Sequence, residues 1–250
     1  MDTETGISLL LDHRHDVRMA AALAGRAGIT RVWTTPDRAL EGDDLIGVIC
    51  RPGDITPRTA RSVWIRQPWS DSTRALVADL VRAGREVSAD ADADSASAGS
   101  STSTSAAGIL AEAATPVLSL PTLAATLRCA AAVSAMPGPT SPAKAAAVIA
   151  VSPGRTSAEA HARVRLDPEF AHTASATCTI VGTLEDCQQA VAALFASGIT
   201  DVRVSIPATP DFPDVLAQLA TLRGDVLRRV EPGAPRSDAP APPRGWGGRP

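Results

Sequence analysis

Residues Ala20–Thr34 read AAALAGRAGITRVWT and residues Ala190–Val204 read AVAALFASGITDVRV, so one unit occurs near both ends of the chain. In each copy an alanine-rich stretch reaches a glycine, Gly28 or Gly198, followed by Ile-Thr and a short apolar run. Alanine lets a helix pack close to a sheet, and glycine adopts the left-handed backbone conformation that ends many helices. The β-branched residues that follow suit a buried strand. The unit predicts an α/β protein of the (β/α)8 TIM-barrel type, with its last strand beside its first two.

The composition sets limits on function. The 250 residues are 44% hydrophobic, enough for one large domain with a sizeable core. A net charge of −3, without a basic patch, argues against nucleic-acid binding. No apolar run reaches the roughly 18 residues of a membrane span. We therefore expect a cytoplasmic protein with a small-molecule substrate, no nucleic acid and no membrane as partner, and a homodimer left open. The four cysteines are expected to be free, mostly buried thiols.

Apolar runs and helix signals predict the remaining elements. Strands are expected at Ile7–Leu11, Leu45–Cys50, Ser62–Ile65, Glu86–Val87, Val117–Leu120, Ala145–Val151, Thr177–Val181 and Val202–Ile206. Helices are expected at about 16–27, 71–83, 123–133, 156–165, 184–197 and 212–222. The helix after Gly182 has the spacing of a capping box, with Thr183 as the cap and Asp186 three residues later.

Two segments lack the residues of a packed core. Residues 88–107 read SADADADSASAGSSTSTSAA, which contains no large apolar side chain and predicts a disordered, low-complexity insertion. Residues 231–250 are rich in proline and predict an unstructured tail. The expected organisation is one barrel domain over residues 1–230, incomplete or irregular in its middle, followed by the tail.

Three stretches resemble the luciferase-like monooxygenase family. GISLLLDHRHDVRMAAALAGRAGITRVWTTPD (Gly6–Asp37) is similar to that family's first strand, first helix and second strand. AKAAAVIAVSPGRTSAEAHARVR (Ala143–Arg165) is similar to a late strand and helix. TIVGTLEDCQQAVAALFASGITDVRVSIP (Thr179–Pro207) is similar to the end of the barrel, with Leu184 where members usually have proline. The family's Gly-Arg and Gly-x-Gly segments are not found between Ile65 and Val117.

The resemblance carries functional expectations. Members of the family are (β/α)8-barrel oxidoreductases that use FMN or its deazaflavin analogue. The resemblance therefore implies a flavin- or deazaflavin-dependent oxidoreductase or monooxygenase acting on a small organic substrate, with FMN or a deazaflavin coenzyme as cofactor. Because the middle of the family pattern is missing, a degenerate, non-catalytic barrel homologue that binds a ligand or partner is the alternative.

Candidate site residues follow from the barrel prediction. The working face of such a barrel is built from residues just after the carboxyl ends of the strands. A flavin-type cofactor needs backbone N–H groups and an arginine or hydroxyl at its phosphate, and an apolar surface for its ring. The candidates for cofactor binding are Asp12, His13, Trp33, Thr34, Gly154, Arg155, Gly182 and Thr183. No residue is assigned a catalytic role.

The sequence His13-Arg14-His15 raises a third possibility. A His-x-His pair at the end of a first barrel strand resembles the metal ligands of the amidohydrolase superfamily, since alternate residues can bind one Zn²⁺. That chemistry also needs a bridging lysine and an aspartate after the last strand. The only lysine, Lys144, precedes a strand, and Asp201 begins the last one. We therefore expect no metal site and place a metal-dependent hydrolase last.

Overall fold

The computed structural model describes residues 6–40, 43–51, 54, 59–66, 70–91, 114–135 and 144–230. The strands of this part of the chain are β1 (Gly6–Leu10), β2 (Arg31–Thr34), β3 (Ile46–Cys50), β4 (Ser62–Ile65), β5 (Glu86–Asp90), β6 (Thr115–Leu118), β7 (Ala145–Gly154), β8 (Cys178–Thr183) and β9 (Ile199–Ser205). The helices are α1 (Val17–Arg26), α2 (Asp71–Arg82), α3 (Leu123–Ser134), α4 (Ser157–Leu166), α5 (Pro168–Ala176), α6 (Leu184–Ala196) and α7 (Phe212–Val230). None of these helices combines the length and apolar character needed to cross a lipid bilayer.

Eight parallel strands form a closed ring. Strands β1 to β7 pair in chain order, β7 pairs with β9, and β9 pairs with β1. In the closing pair, Ile7 lies opposite Val202 and Leu9 lies opposite Val204. The prediction of a TIM-barrel-like α/β fold, with the last strand beside the first, is confirmed.

Strand β8 lies outside this ring. The first half of the long strand β7 pairs with β6 through Ala146 and Ala147, whereas residues 149–154 pair with β8 on the same edge. The opposite edge of β7 pairs with β9. Strand β8 therefore continues the sheet beyond the end of β6, at the carboxyl end of the barrel. The sequence predicted this strand but not its place.

The repeated unit folds as expected. Gly28 after α1, Gly84 after α2 and Gly198 after α6 have φ angles of 68°, 77° and 99°. An L side chain is strained in this region, which explains why glycine ends all three helices. Each glycine turns the chain directly into a strand, namely β2, β5 and β9.

The side chains of the strands alternate between two apolar layers. Ile7 and Leu9 face outwards and belong to a core that also contains Leu194 of α6 and Leu219 of α7. The barrel interior holds a separate cluster, formed by Trp33, Ile49, Trp64, Val117, Ala146 and Val148. The four cysteines are free thiols, and Cys50, Cys178 and Cys187 are buried.

The predicted insertion begins too early, because residues 88–90 complete β5. Ser88 pairs with both Trp64 and Thr115, and Asp90 accepts a hydrogen bond of 2.8 Å from Nε1 of Trp64. Small side chains are tolerated there because the large Trp64 fills the interior, so Ala89 is fully buried on the other face. Most of the predicted insertion (92–107) and the tail (231–250) lie outside the described residues. Helix α5 was not predicted, and α7 runs eight residues further than expected, to Val230.

Candidate functional site

A network of ion pairs holds the loop after β1 at the carboxyl end of the barrel. Arg14 donates from Nε to Asp12 at 3.0 Å and pairs with Asp167, the residue that caps α5. Arg14 Nε also lies 3.1 Å from Glu169. Asp167 in turn accepts a hydrogen bond of 2.7 Å from the backbone N–H of Ala208, which follows β9. The network therefore joins the ends of the first and last strands to α5.

The charges of this network are fixed. Burial acts to raise the pKa of Asp12, but hydrogen bonds with His15 and Arg14 hold that pKa well below its usual value. Burial acts in the same direction on Asp167, and bonds from backbone N–H groups and Arg14 again keep its pKa low. The two carboxylates also raise the pKa of Arg14 against the effect of burial. These groups position the loop and are poorly suited to exchanging protons near neutral pH.

The two histidines of this loop face different groups. His15 is buried, with Nδ1 2.9 Å from Asp12 and its ring centroid 4.9 Å from that of Phe212. His13 is exposed and lies 3.8 Å from Glu169. Residues 13 and 14 form a turn, so the strand alternation that would align a His-x-His pair is lost. Within the described residues, no group of three or more His, Cys, Asp or Glu could hold a metal ion.

Gly154 and Arg155 lead into α4, whose first turn is closed by its own side chains. Thr156 accepts a hydrogen bond from the backbone of Glu159 at 3.2 Å, and the backbone of Arg155 donates to the Glu159 carboxylate at 3.0 Å. A Cβ at Gly154 would lie 2.6 Å from the carbonyl oxygen of Thr156, so glycine is required for this packing. The guanidinium of Arg155 is exposed.

Gly182 and Thr183 lead into α6 in the same way. The predicted capping box is confirmed, because the Asp186 backbone donates to Thr183 Oγ1 at 3.3 Å and the Thr183 backbone donates to the Asp186 carboxylate at 2.8 Å. These bonds lower the pKa of Asp186. A Cβ at Gly182 would lie 2.6 Å from the Asp186 carboxylate. The backbone N–H group of Thr183, which a phosphate would need, is thus bonded within the protein.

Trp33 and Thr34 lie away from the other predicted site residues. The Trp33 ring is buried inside the barrel, where Nε1 donates to Ser8 at 3.1 Å and the ring meets Trp64 edge-on at 6.0 Å between centroids. Thr34, on the opposite face of β2, is fully buried. The structure therefore brings Asp12 and His13 together at one end and places the Trp33 side chain in the interior.

Two arginines at the carboxyl end escaped the sequence analysis. Arg51 directly follows β3 and Arg66 directly follows β4, and both side chains are exposed. The guanidinium of Arg66 lies 5.7 Å from the Trp64 ring centroid. Neither arginine forms an ion pair with a described residue. Each is the first charged residue after an apolar strand, and this signal could have found them.

The amino end of the barrel contains a cavity of about 480 Å³. Its lining comes from the beginnings of strands, including Arg31, Glu86, Asp201 and Arg203, and from Lys144 before β7. Arg203 is only 3% exposed, and its guanidinium lies 4.1 Å and 4.6 Å from the ring centroids of Trp33 and Trp64. The alternation in Ile199–Ser205 places Asp201 and Arg203 on one strand face, a pattern that the sequence analysis did not use.

Comparison with known proteins identifies the fold. No protein-family model and no curated protein sequence matches the chain. Among solved structures, the coenzyme F420-dependent tetrahydromethanopterin reductase from Methanopyrus kandleri is 10% identical, with a TM-score of 0.58 over 89% of this chain and 99% of that one. An F420-dependent secondary alcohol dehydrogenase, solved with an F420–acetone adduct, is 11% identical, with a TM-score of 0.56 over 89% and 99%.

A third neighbour, the monooxygenase RslO1 from Streptomyces bottropensis, is 12% identical, with a TM-score of 0.53 over 89% of this chain and 98% of that one. Since all these identities are low, the likeness concerns the fold. It extends over nearly the whole length of each neighbour. The resemblance predicted from three stretches of sequence is confirmed at this level: the chain has the barrel fold of the luciferase-like oxidoreductases.

Proposed function

We propose that this protein is an oxidoreductase that binds a flavin or deazaflavin cofactor at the carboxyl end of its barrel and acts on a small organic substrate. The observation that supports this most strongly is the fold, since two neighbours that match over 99% of their length are F420-dependent enzymes. A reduced cofactor of this kind supplies a hydride, while the protein supplies binding, orientation and electrostatics.

The exposed arginines at the carboxyl end fit an anionic cofactor. FMN and F420 both carry phosphate, and a guanidinium binds phosphate oxygens with two parallel hydrogen bonds. Arg51 and Arg66 follow adjacent strands and have no ion-pair partner within the described residues, so their donors are available to a ligand. Arg155 contributes a third exposed guanidinium after β7. Asp12 and His13 complete this proposed site from the loop after β1.

The backbone groups at Gly154 and Gly182 have a different status. The N–H groups of Arg155 and Thr183 donate to Glu159 and Asp186, so a phosphate would have to displace a carboxylate to reach them. We therefore assign the main phosphate contacts to the arginine side chains after β3 and β4.

Cofactor titration tests this assignment. Purified protein is titrated with FMN and, separately, with F420, and the quenching of tryptophan fluorescence is followed. Saturable binding of one cofactor is expected, and Arg51→Gln and Arg66→Gln should each weaken it about tenfold, since a charge-assisted hydrogen bond contributes about 1.5–3 kcal/mol. Arg74→Gln, an exposed arginine on α2, is the matched control and should bind as the wild type does. A folded wild type that saturates with neither cofactor below about 1 mM would reject the proposal.

The second candidate is a barrel that has lost its redox cofactor and serves as a binding protein. The closure of α4 and α6 by Glu159 and Asp186 favours it, because carboxylates at these positions repel phosphate. The same titration separates the two functions: a natively folded protein that binds neither FMN nor F420 supports the binding protein.

A further inference from the structure

The cavity at the amino end of the barrel is not used by the proposed oxidoreductase. It lies among the first residues of the strands, whereas Arg51 and Arg66 follow the last ones. Its volume of about 480 Å³ falls within the range of small-molecule sites, about 300–1,000 Å³. The interior cluster around Trp33 and Trp64 separates it from the other end.

The charges that line this cavity add up to one net positive charge. Arg31 lies 2.7 Å from Glu86, and Arg203 lies 2.9 Å from Asp201, so these four side chains form two ion pairs. Lys144 is exposed and has no ion-pair partner within the described residues. The surplus charge is therefore located at the cavity.

Both arginines retain unused hydrogen-bond donors. Arg203 uses Nε for Asp201 and Nη2 for Ser88, at 2.9 Å each, but its buried Nη1 has no acceptor. Nε of Arg31 is also buried without an acceptor. Buried polar groups in proteins nearly always have a partner, and a guanidinium cannot remove its need for one by losing its proton. Unpaired donors on two arginines of one cavity point to an acceptor brought by a ligand.

The surrounding groups narrow the chemistry of that ligand. The guanidinium of Arg203 is held between two indole rings, so its orientation is fixed before a ligand arrives. Glu86 and Asp201 stand in the same lining and disfavour a ligand with two negative charges. A single negative charge matches the one surplus positive charge, and a planar carboxylate suits a guanidinium better than a spherical ion does.

We propose that this cavity binds a small organic monocarboxylate, whose oxygen accepts a hydrogen bond from Nη1 of Arg203 while Arg31 and Lys144 supply further positive charge. The site is separate from the cofactor site of the proposed function and does not depend on it. The uncharged part of the ligand lies towards the threonines that line the cavity, Thr30, Thr115 and Thr200.

Calorimetric titration of the full chain with matched probe pairs tests the ligand class. Acetate and benzoate carry the charge, and acetamide and benzamide have nearly the same shapes without it. At least one carboxylate should bind with one-to-one stoichiometry and a dissociation constant below about 1 mM, with its amide and inorganic phosphate at least about tenfold weaker. Equal binding of acid and amide, stronger binding of phosphate, or no saturation by either carboxylate overturns the proposal.

Variants locate the site. Arg31→Gln and Lys144→Gln, at partly or fully exposed positions, should each weaken carboxylate binding, with a loss of at least tenfold for Arg31→Gln and a complete loss for Arg203→Gln. Arg82→Gln on α2 is the matched control, since its side chain is 75% exposed and pairs only locally with Asp79. If Arg203→Gln does not fold, the combined Arg31→Gln and Lys144→Gln variant decides: wild-type affinity there overturns the proposal. FMN and F420 titrations of the same variants should be unchanged, which keeps this test distinct from that of the proposed function.

Discussion

Replacing Gly198 by alanine tests the physical basis of the repeated helix–glycine–strand unit. A Cβ at this position would lie 1.8 Å from Oγ and 2.8 Å from Cβ of Ser134, the last residue of α3. At Gly84, which ends α2 in the same way, nothing lies within 4 Å of a Cβ. The two glycines have φ angles of 99° and 77°, so both exact a backbone cost, but only Gly198 adds a steric one.

The two costs can be estimated separately. Placing alanine in left-handed backbone costs roughly 1–2 kcal/mol. The lower entropy of the unfolded chain offsets about 0.4–1 kcal/mol of this. Gly84→Ala should therefore lower the free energy of unfolding by about 0.5–1 kcal/mol. Gly198→Ala must also displace Ser134, and overpacking of this kind costs about 1–3 kcal/mol, so we expect a total loss of about 2–4 kcal/mol.

Urea unfolding at pH 7, followed by circular dichroism and tryptophan fluorescence, measures both losses. Adding Ser134→Gly should recover most of the steric part in the Gly198→Ala background and nothing in the Gly84→Ala background. If Gly198→Ala is no more destabilising than Gly84→Ala, the packing of α3 against this turn is not as described, and the steric argument is refuted.

Two further predictions concern the charged groups. Arg203→Met should lower the free energy of unfolding by about 3 kcal/mol, because it leaves Asp201 unpaired inside the barrel, and adding Asp201→Asn should restore part of this loss; equal losses in the single and double variants would contradict the pairing. Because the pKa values of Asp12 and Asp167 are lower in the folded protein than their usual value of 3.8, the unfolded chain takes up protons first as the pH falls. Their stabilisation is complete above about pH 5 and is lost at lower pH, so urea unfolding between pH 7 and 3 should show a smaller decline for Arg14→Gln than for the wild type; parallel declines would exclude the network as the cause.

The sequence was sufficient to predict ring closure because the repeated unit constrains local geometry. A glycine with positive φ, followed by β-branched residues, leaves few alternatives to a helix that turns into a buried strand. Gly28 and Gly198 therefore located β2 and β9, and the apolar run from Ile7 supplied the strand between them.

The position of β8 could not be predicted in the same way. Residues 145–154 are all buried, and a continuous apolar run looks the same whether one edge of the strand meets one partner or two. The direction of Trp33 was also undetermined, since both faces of a barrel strand are buried and alternation does not say which face points inwards.

The site was predicted less well than the fold for two reasons. Glu159 lies three residues after Thr156, which is itself the spacing of a capping box, and this signal could have shown that the first turn of α4 is closed. The pairing of Arg203 with two tryptophans depends on strands far apart in sequence. The cofactor roles of Asp12 and His13 stay predictions that the titrations described above will test.

The guanidinium held between two indoles divides the inside of the barrel into two compartments. Trp33 and Trp64 are each 1% exposed and Arg203 is 3% exposed, so no open passage runs along the barrel axis through them. Solutes that enter from opposite ends therefore never meet. Each end can acquire substitutions without altering the chemistry of the other, and a molecule bound at one end can influence the far end only by shifting these three side chains.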